Sequence, residues 1–401
     1  MKFSRKVEQC GLSPVRKFYP YEKAASEKGL KIHHLNIGQP DIETPEVFFD
    51  AVRNFDNKVV EYAPAPGTPE YLEAVRDYYN RLGCNIGCED IAATFGGSEA
   101  LQIVMSCILD EGDEVLIPEP YYPNYDTFIR VTGATIRPIK TTAEEGYHYA
   151  YRDRIEPLIN DRTRAIVITN PGNPTGVVLS EEERRVMVDI VKDHNLFLIS
   201  DEVYREIVYG GRKPNTMLQY ADAAENIVVV DSVSKRFSAT GTRVGALVSR
   251  NKELMQQVEK ITQSRLCIGM LAQAGAAAMY NRLQDAYFAD IMDQYEGRRK
   301  ALVEGLSKLP DVRFNSPEGA FYLIVDLPVD STEKLQYFLL EEFDYEGETV
   351  MITPAEGFYV NPEEGRSKAR IAYVINPADI TRAMEVLGHG IKAYNERGGK
   401  V

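Results

Sequence analysis

Lys235 stands where a lysine could do chemistry. It sits in the stretch IVVVDSVSKRFSATGTRVG, Ile227 to Gly245. The β-branched apolar run reads as a buried strand, ends in Ser232, Ser234 and Lys235, and breaks into a small-residue turn that carries Arg243. A lysine at the mouth of an α/β sheet can form a Schiff base with an aldehyde cofactor. The plain alternative is a solvated lysine that follows a strand.

Other strand-like runs end in the same way. RAIVITN (Arg164 to Asn170) runs into NPGNPTG, where two prolines and two glycines fix a turn and Asn173 is the free polar side chain. LFLIS ends at Asp201, with Tyr204 three residues on. A carboxylate there could cap the next helix, or hold the proton on a pyridine nitrogen, which an electron-sink cofactor needs. DIAATFGGSEALQIVMSCIL reads as strand, glycine pair and helix beginning near Ser98, whose first N–H groups, from Gly97 to Glu99, could cradle a phosphate. Tyr121, Tyr122 and Tyr125 follow EVLIP, and one of them could stack on a flat ring.

These residues need a frame. Between about Asp90 and Val248 short Val- and Ile-rich runs alternate with helical patterns such as SEEERRVMVDIVKDHN, with Ser180 as its N-cap. That alternation predicts an α/β fold, a mostly parallel central sheet with helices on both faces. Ligands of such sheets gather at the carboxyl ends of the strands. After about Asp285 the texture changes to helical runs around GAFYLIVDLP and RIAYVI, which predicts a smaller α+β domain. The division expected is a large domain over 46–285 and a small domain formed by 1–45 and 286–401.

The 401 residues exceed one ordinary core, which fits two domains. Hydrophobic content of 44% with 26% charged residues is that of a globular chain, and no apolar run approaches the ~18 residues of a membrane span. The N-terminus has no apolar signal core. Five scattered cysteines match no zinc pattern and read as free thiols in a reducing cytoplasm. His33-His34 reads as surface or packing, so no metal is expected. A net charge of −14 without a basic run argues against nucleic acid.

With those motifs assembled, the chain resembles a fold-type I pyridoxal-phosphate-dependent enzyme of the class I/II aminotransferase family over nearly its full length. The matching segments are LNIGQPDIETP, YAPAPGTPEYLEAV, FGGSEAL, PEPYYPNY, NPGNPTG, SDEVY, SVSKRFSATGTRVG and RIAYV, in the family's order. The resemblance implies pyridoxal 5′-phosphate as cofactor, held by Lys235, which then shuttles the proton at the substrate Cα. It implies that Asp201 pairs with the ring nitrogen, Asn173 and Tyr204 bond the ring's phenolic oxygen, and Tyr122 stacks where relatives often carry tryptophan. Gly97, Ser98, Ser232 and Arg243 would bind the phosphate, with Tyr62 reaching in from a partner subunit, so a homodimer with shared sites is expected. Arg370 would grip the substrate α-carboxylate beside the backbone of Gly38.

The function implied is transfer of an amino group from an L-amino acid, aspartate first, to a 2-oxo acid such as 2-oxoglutarate. A carbon–sulfur β-lyase of the same fold is the alternative, since it would use the same cofactor site. A sensor with an added DNA-binding domain is not expected, because little chain precedes Leu35. Two positions depart from the family. Thr242 replaces an aromatic residue in SATGTR. Ser98 stands where some bacterial aspartate aminotransferases carry a lysine that contacts the distal carboxylate, and Arg265 is a candidate for supplying that charge.

Overall fold

A computed structural model of the chain describes residues 1–283 and 285–398. The ranges 46–285 and 286–401 expected from the sequence include Gln284 and residues 399–401, which lie outside the described residues. The central element is a seven-stranded sheet. Its strands lie side by side in the order Ile91–Thr94, Gly245–Val248, Ile227–Ser232, Phe197–Asp201, Thr163–Thr169, Glu114–Pro118 and Thr135–Ile139. The last five pair in parallel; Gly245–Val248 runs antiparallel to both of its neighbours. Two apolar clusters, one on Ile166, Ile168 and Leu198 and one on Val167, Ile199 and Val228, cover opposite faces, as alternate side chains of a buried strand require. The helix Glu181–Asp193 starts where expected. Ser180 accepts from the Glu183 N–H, and the Glu183 carboxylate accepts from the Ser180 N–H in return.

A second core lies on the four-stranded sheet that contains Tyr322–Asp326 and Lys368–Ala372, backed by the helices Asp285–Leu306 and Pro377–Glu396. The N-terminal segment joins it: Lys31–His34 pairs in parallel with Glu348–Met351, and His33 is buried against Glu348, a packing role as expected. The first residues depart from that pattern. Lys6 Nζ donates to the Thr132 carbonyl at 2.9 Å, which places the turn Arg5–Glu8 beside the central sheet's outer helix Asn124–Arg130. Between the two cores lies the cavity that the strand ends face.

Candidate active site

Several strands of the central sheet place a polar residue at or just past their carboxyl ends. The strand Ile227–Ser232 leads into a single helical turn, Val233–Arg236, capped by the Ser232 hydroxyl accepting from the Ser234 N–H at 3.1 Å. That turn carries Lys235 into a cavity of about 740 Å³, where its amine donates to the Gly38 carbonyl at 2.7 Å. Phe197–Asp201 delivers Asp201, and the turn after Thr163–Thr169 delivers Asn173. Asn170, the neighbouring amide, is tied to the Leu179 N–H and to Asn215, so Asn173 is the amide left for the cavity. Asn173 Nδ2 donates to the Tyr204 hydroxyl at 3.4 Å, and Tyr204 in turn contacts the Tyr322 hydroxyl at 3.1 Å.

Burial sets the electrostatics. Enclosure, with the charges of Arg370 and Arg243 adding to it, pushes the Lys235 amine down to about 8. Asp201 is 6% exposed, and burial pushes its carboxyl up to about 6 against the opposing hydrogen bonds from Tyr125, at 2.7 Å, and the Val203 N–H. The site thus holds a neutralisable amine and a buried carboxylate that has no salt-bridge partner among the described residues. Beneath it, Asp231 accepts from Arg205 at 2.6 Å, Arg236 at 2.8 Å and Tyr79 at 2.8 Å, and Glu202 accepts from Arg205 at 2.6 Å. Lys235 and Asp201 each have one neighbour in this buried ion network, which fixes the backbone that carries them. Removing one member would strand a buried charge at a cost of roughly 3–5 kcal/mol.

The phosphate-sized end is built on backbone. Gly97 and Ser98 open the helix Gly97–Ile108, whose first N–H groups have no intrahelical acceptor. Gly96 is required there. Its φ is +76°, and a Cβ would fall 2.5 Å from the Arg243 guanidinium. Arg243 itself takes φ +53°, a conformation that costs roughly 1–3 kcal/mol and is found where function demands it. Its Nη1 donates to the Thr240 carbonyl at 3.0 Å and its Nη2 to the Phe95 carbonyl at 3.3 Å, which holds the guanidinium at the wall of the cavity that Ser232 and Ser98 also line.

Arg370 is 3% exposed and held from two sides, Nη1 by Asn173 Oδ1 at 3.1 Å and Nη2 by the Asn36 carbonyl at 2.8 Å, while its buried Nε has no partner. It lies 4.5 Å from the centre of the Tyr322 ring. Gly38 belongs here by close approach, since a Cβ on it would overlap the Tyr322 hydroxyl at 1.7 Å. Tyr122 lines the cavity with its hydroxyl accepting from Asn124 at 2.7 Å.

Of the residues expected from the sequence, Lys235, Asp201, Tyr204, Asn173, Ser232, Arg243, Gly97, Ser98, Tyr122, Gly38 and Arg370 line this one cavity. Tyr62 does not. It is 79% exposed on an irregular segment and absent from the cavity of its own chain. Arg265 pairs with Glu99 at 3.3 Å and donates to the Ala93 carbonyl at 2.9 Å, so its charge is engaged within its own chain. Sequence reasoning missed Asn36, Tyr322 and Arg16, and named Tyr125 only as a candidate for stacking, whereas its hydroxyl donates to Asp201. Asn36 lies inside the quoted motif LNIGQPDIETP, and its neighbourhood to Gly38 was the available signal.

The residues present fit pyridoxal 5′-phosphate. Its aldehyde, ring nitrogen and phosphate call for an amine of lowered basicity, an unpaired buried carboxylate and a glycine-built helix start, and all three open into one cavity. The family model for aminotransferase class I and II matches residues 31–387. A probable aspartate/prephenate aminotransferase of Aquifex aeolicus is 31% identical over 88% of this chain and 90% of its own. The aspartate aminotransferase of Bacillus subtilis is 29% identical over 98% of this chain and all of its own. The solved aspartate aminotransferase of Thermotoga maritima superposes with a TM-score of 0.88 at 28% identity, covering 97% of this chain and 100% of that one. These likenesses are to transferases, and the carbon–sulfur lyase alternative is not favoured. Sheet order, site and sequence agree, and the chain belongs to the class I and II aminotransferases, enzymes that work with pyridoxal 5′-phosphate.

Proposed function

We propose that the protein takes the amino group of an acidic L-amino acid, aspartate first, and passes it to a 2-oxo acid such as 2-oxoglutarate in a two-stage ping-pong cycle. The observation that carries the reading is the convergence of Lys235, Asp201 and Arg370 on one cavity from three separate strands. Aspartate is chosen because relatives in Bacillus subtilis and Pyrococcus horikoshii carry it in their names.

Pyridoxal 5′-phosphate, when bound, supplies an aldehyde that carries the amino group and a ring that accepts the electrons of a broken Cα bond. Lys235 is the attachment point in this reading, and its freed amine takes the proton from the substrate Cα and returns one to the product side. Asp201 keeps the ring nitrogen protonated. Asn173 and Tyr204 orient the ring through its phenolic oxygen, Tyr122 covers one face, and Gly97, Ser98, Ser232 and Arg243 hold the phosphate. Arg370 takes the α-carboxylate as a planar fork, pre-aimed by Asn173 and Asn36. Arg370→Lys is expected to lower kcat/KM about 100-fold for every amino acid, because a point charge cannot replace the fork. Steady-state rates with three unrelated donors check this, and undiminished values would remove Arg370 from the role.

The enzyme works in this reading as a cytoplasmic homodimer. Supporting it are five free thiols, and an exposed run of Val59 (69%), Val60 (64%) and Tyr62 (79%) that a partner subunit would cover. The phosphate contact of Tyr62 is then made across that interface. No helix among the described residues is long and apolar enough to cross a membrane. The separate cores support a large domain over 46–285 and a small one over 1–45 and 286–401, with Arg5–Glu8 leaning on the large one.

The test is the visible spectrum of the purified protein before and after single amino acids are added without an oxo acid. Loss of the cofactor's aldehyde-form band with aspartate, and not with most others, is the expected result. Persistence of the band with aspartate would overturn the choice of donor.

A further inference from the structure

We infer that Arg16 is the residue that reads the distal carboxylate of the substrate, a specificity role at a position outside every motif of the family resemblance; the inference rests on the acidic-donor reading above. The chain from Ser13 to Arg16 forms part of the wall of the cavity that holds Lys235 and Arg370. Three arginines line that cavity. Arg370 and Arg243 each make two hydrogen bonds, whereas the Arg16 guanidinium makes no hydrogen bond or ion pair among the described residues. In a chain with 60 acidic and 46 basic residues, most arginines near a carboxylate find one. A free guanidinium at a cavity wall is therefore available to an anion brought from outside.

The backbone around Arg16 is fixed while its guanidinium is left without a partner among the described residues. Phe18 is 1% exposed and packs with Leu340 and Met351, its ring 5.0 Å from that of Tyr337. Lys17 pairs with Glu333. On the other side, Pro14 lies over Gly357, where a Cβ would come within 3.1 Å of the proline ring. Arg16 thus hangs into the cavity from a segment pinned at both ends, and its charge reaches the Tyr122 phenol on the same wall.

The chemistry then selects the ligand class. Arg370 takes one carboxylate, so an unpaired guanidinium in the same cavity suits a substrate with a second anion. Ser98 offers that anion no charge, and Arg265 is engaged with Glu99. Because Arg16 is exposed when empty, a neutral side chain leaves it solvated without penalty. Discrimination should come from attraction to a dicarboxylate, not from rejection of other donors.

The test compares wild type, Arg16→Gln and Arg16→Lys as holoenzymes. Two quantities are read: the ratio of kcat/KM for aspartate to that for alanine, and the Kd of succinate from its effect on the visible band. The glutamine variant is expected to lose about 100-fold in the ratio and to bind succinate at least about 10-fold more weakly, with partial recovery in the lysine variant, as for loss of a charge-assisted hydrogen bond. A ratio and a succinate Kd that stay within about 3-fold of wild type would overturn the role of Arg16 and leave the acidic-donor reading standing, since exposed pairs are worth that little. Wild type that neither prefers aspartate nor binds succinate would overturn both, and that outcome is visible before any variant is made.

Discussion

Lys235→Ala is expected to lower kcat by at least about 10⁴-fold, the upper range for loss of a general acid–base group, with the loss of covalent attachment added to it. The fold should survive. The turn Val233–Arg236 is held by the Ser232 cap and by the Arg236–Asp231 ion pair, and neither uses the lysine amine. Circular dichroism and the transamination rate check the two halves separately, and a variant with normal turnover would remove Lys235 from the chemistry. A second measurement reads the amine itself. An ordinary lysine titrates near 10.5, and enclosure beside Arg370 and Arg243 brings this one to about 8. At pH 8 about half of Lys235 is then neutral, against about 0.3% of an unperturbed lysine. The rate at which apoenzyme captures pyridoxal 5′-phosphate covalently should rise about tenfold per pH unit below pH 8 and level off above it. A rise that continues to pH 10 would mean that the cavity does not depress the amine.

The strands that carry this chemistry were legible because burial on both faces forces near-continuous Val and Ile runs. Glu114–Pro118 has the bounds that EVLIP predicts, and the others shift by a residue. The polar residue after each run was legible for the same reason, since a group at the end of a buried strand must face a ligand, a cap or water. Roles were another matter. Asp201 caps no helix: its Oδ1 accepts from the Val203 N–H at 3.3 Å in a turn, and the carboxylate lines the cavity. The family resemblance, not the spacing, said what the cavity was for.

What stayed hidden came from tertiary approach. Tyr322 opens a core strand buried along most of its length, and nothing in GAFYLIVD marks its hydroxyl as the one that meets Tyr204 and overlies Gly38. Arg16 sits in a stretch without periodicity, brought to the cavity by Phe18 docking about 320 residues away in sequence on Leu340 and Met351. Contacts of that separation leave no local pattern. The placement of Arg5–Glu8 against Asn124–Arg130 is hidden in the same way, resting on Lys6 and the Thr132 carbonyl.

Asp201→Asn is expected to separate function from stability in opposite directions. The carboxyl is pushed up to about 6 from an ordinary 3.8, chiefly by burial, and among the described residues it has no salt-bridge partner. The folded apoenzyme therefore holds this proton more tightly than the unfolded chain does. Its stability falls as pH rises from about 4 to 6 and stays lower above that, by up to about 3 kcal/mol for a shift of roughly two units. Asparagine carries no charge to desolvate and can still accept from Tyr125, so the variant apoenzyme should melt at the same temperature as wild type near pH 4 and above it at pH 8. With cofactor and substrate the order reverses. In the proposed role the carboxylate keeps a proton on the ring nitrogen, and without it the ring would be a poor acceptor for the electrons released at Cα. We expect kcat to fall about 10²–10⁴-fold, the scale of losing one partner of an enclosed ion pair. Thermal melts of the two apoenzymes at pH 4 and pH 8, together with half-reaction rates, test both arms. An apoenzyme less stable than wild type at pH 8 would mean that Asp201 is held for the fold. The expected crossing would mean that the chain keeps a costly buried charge because the cofactor needs it.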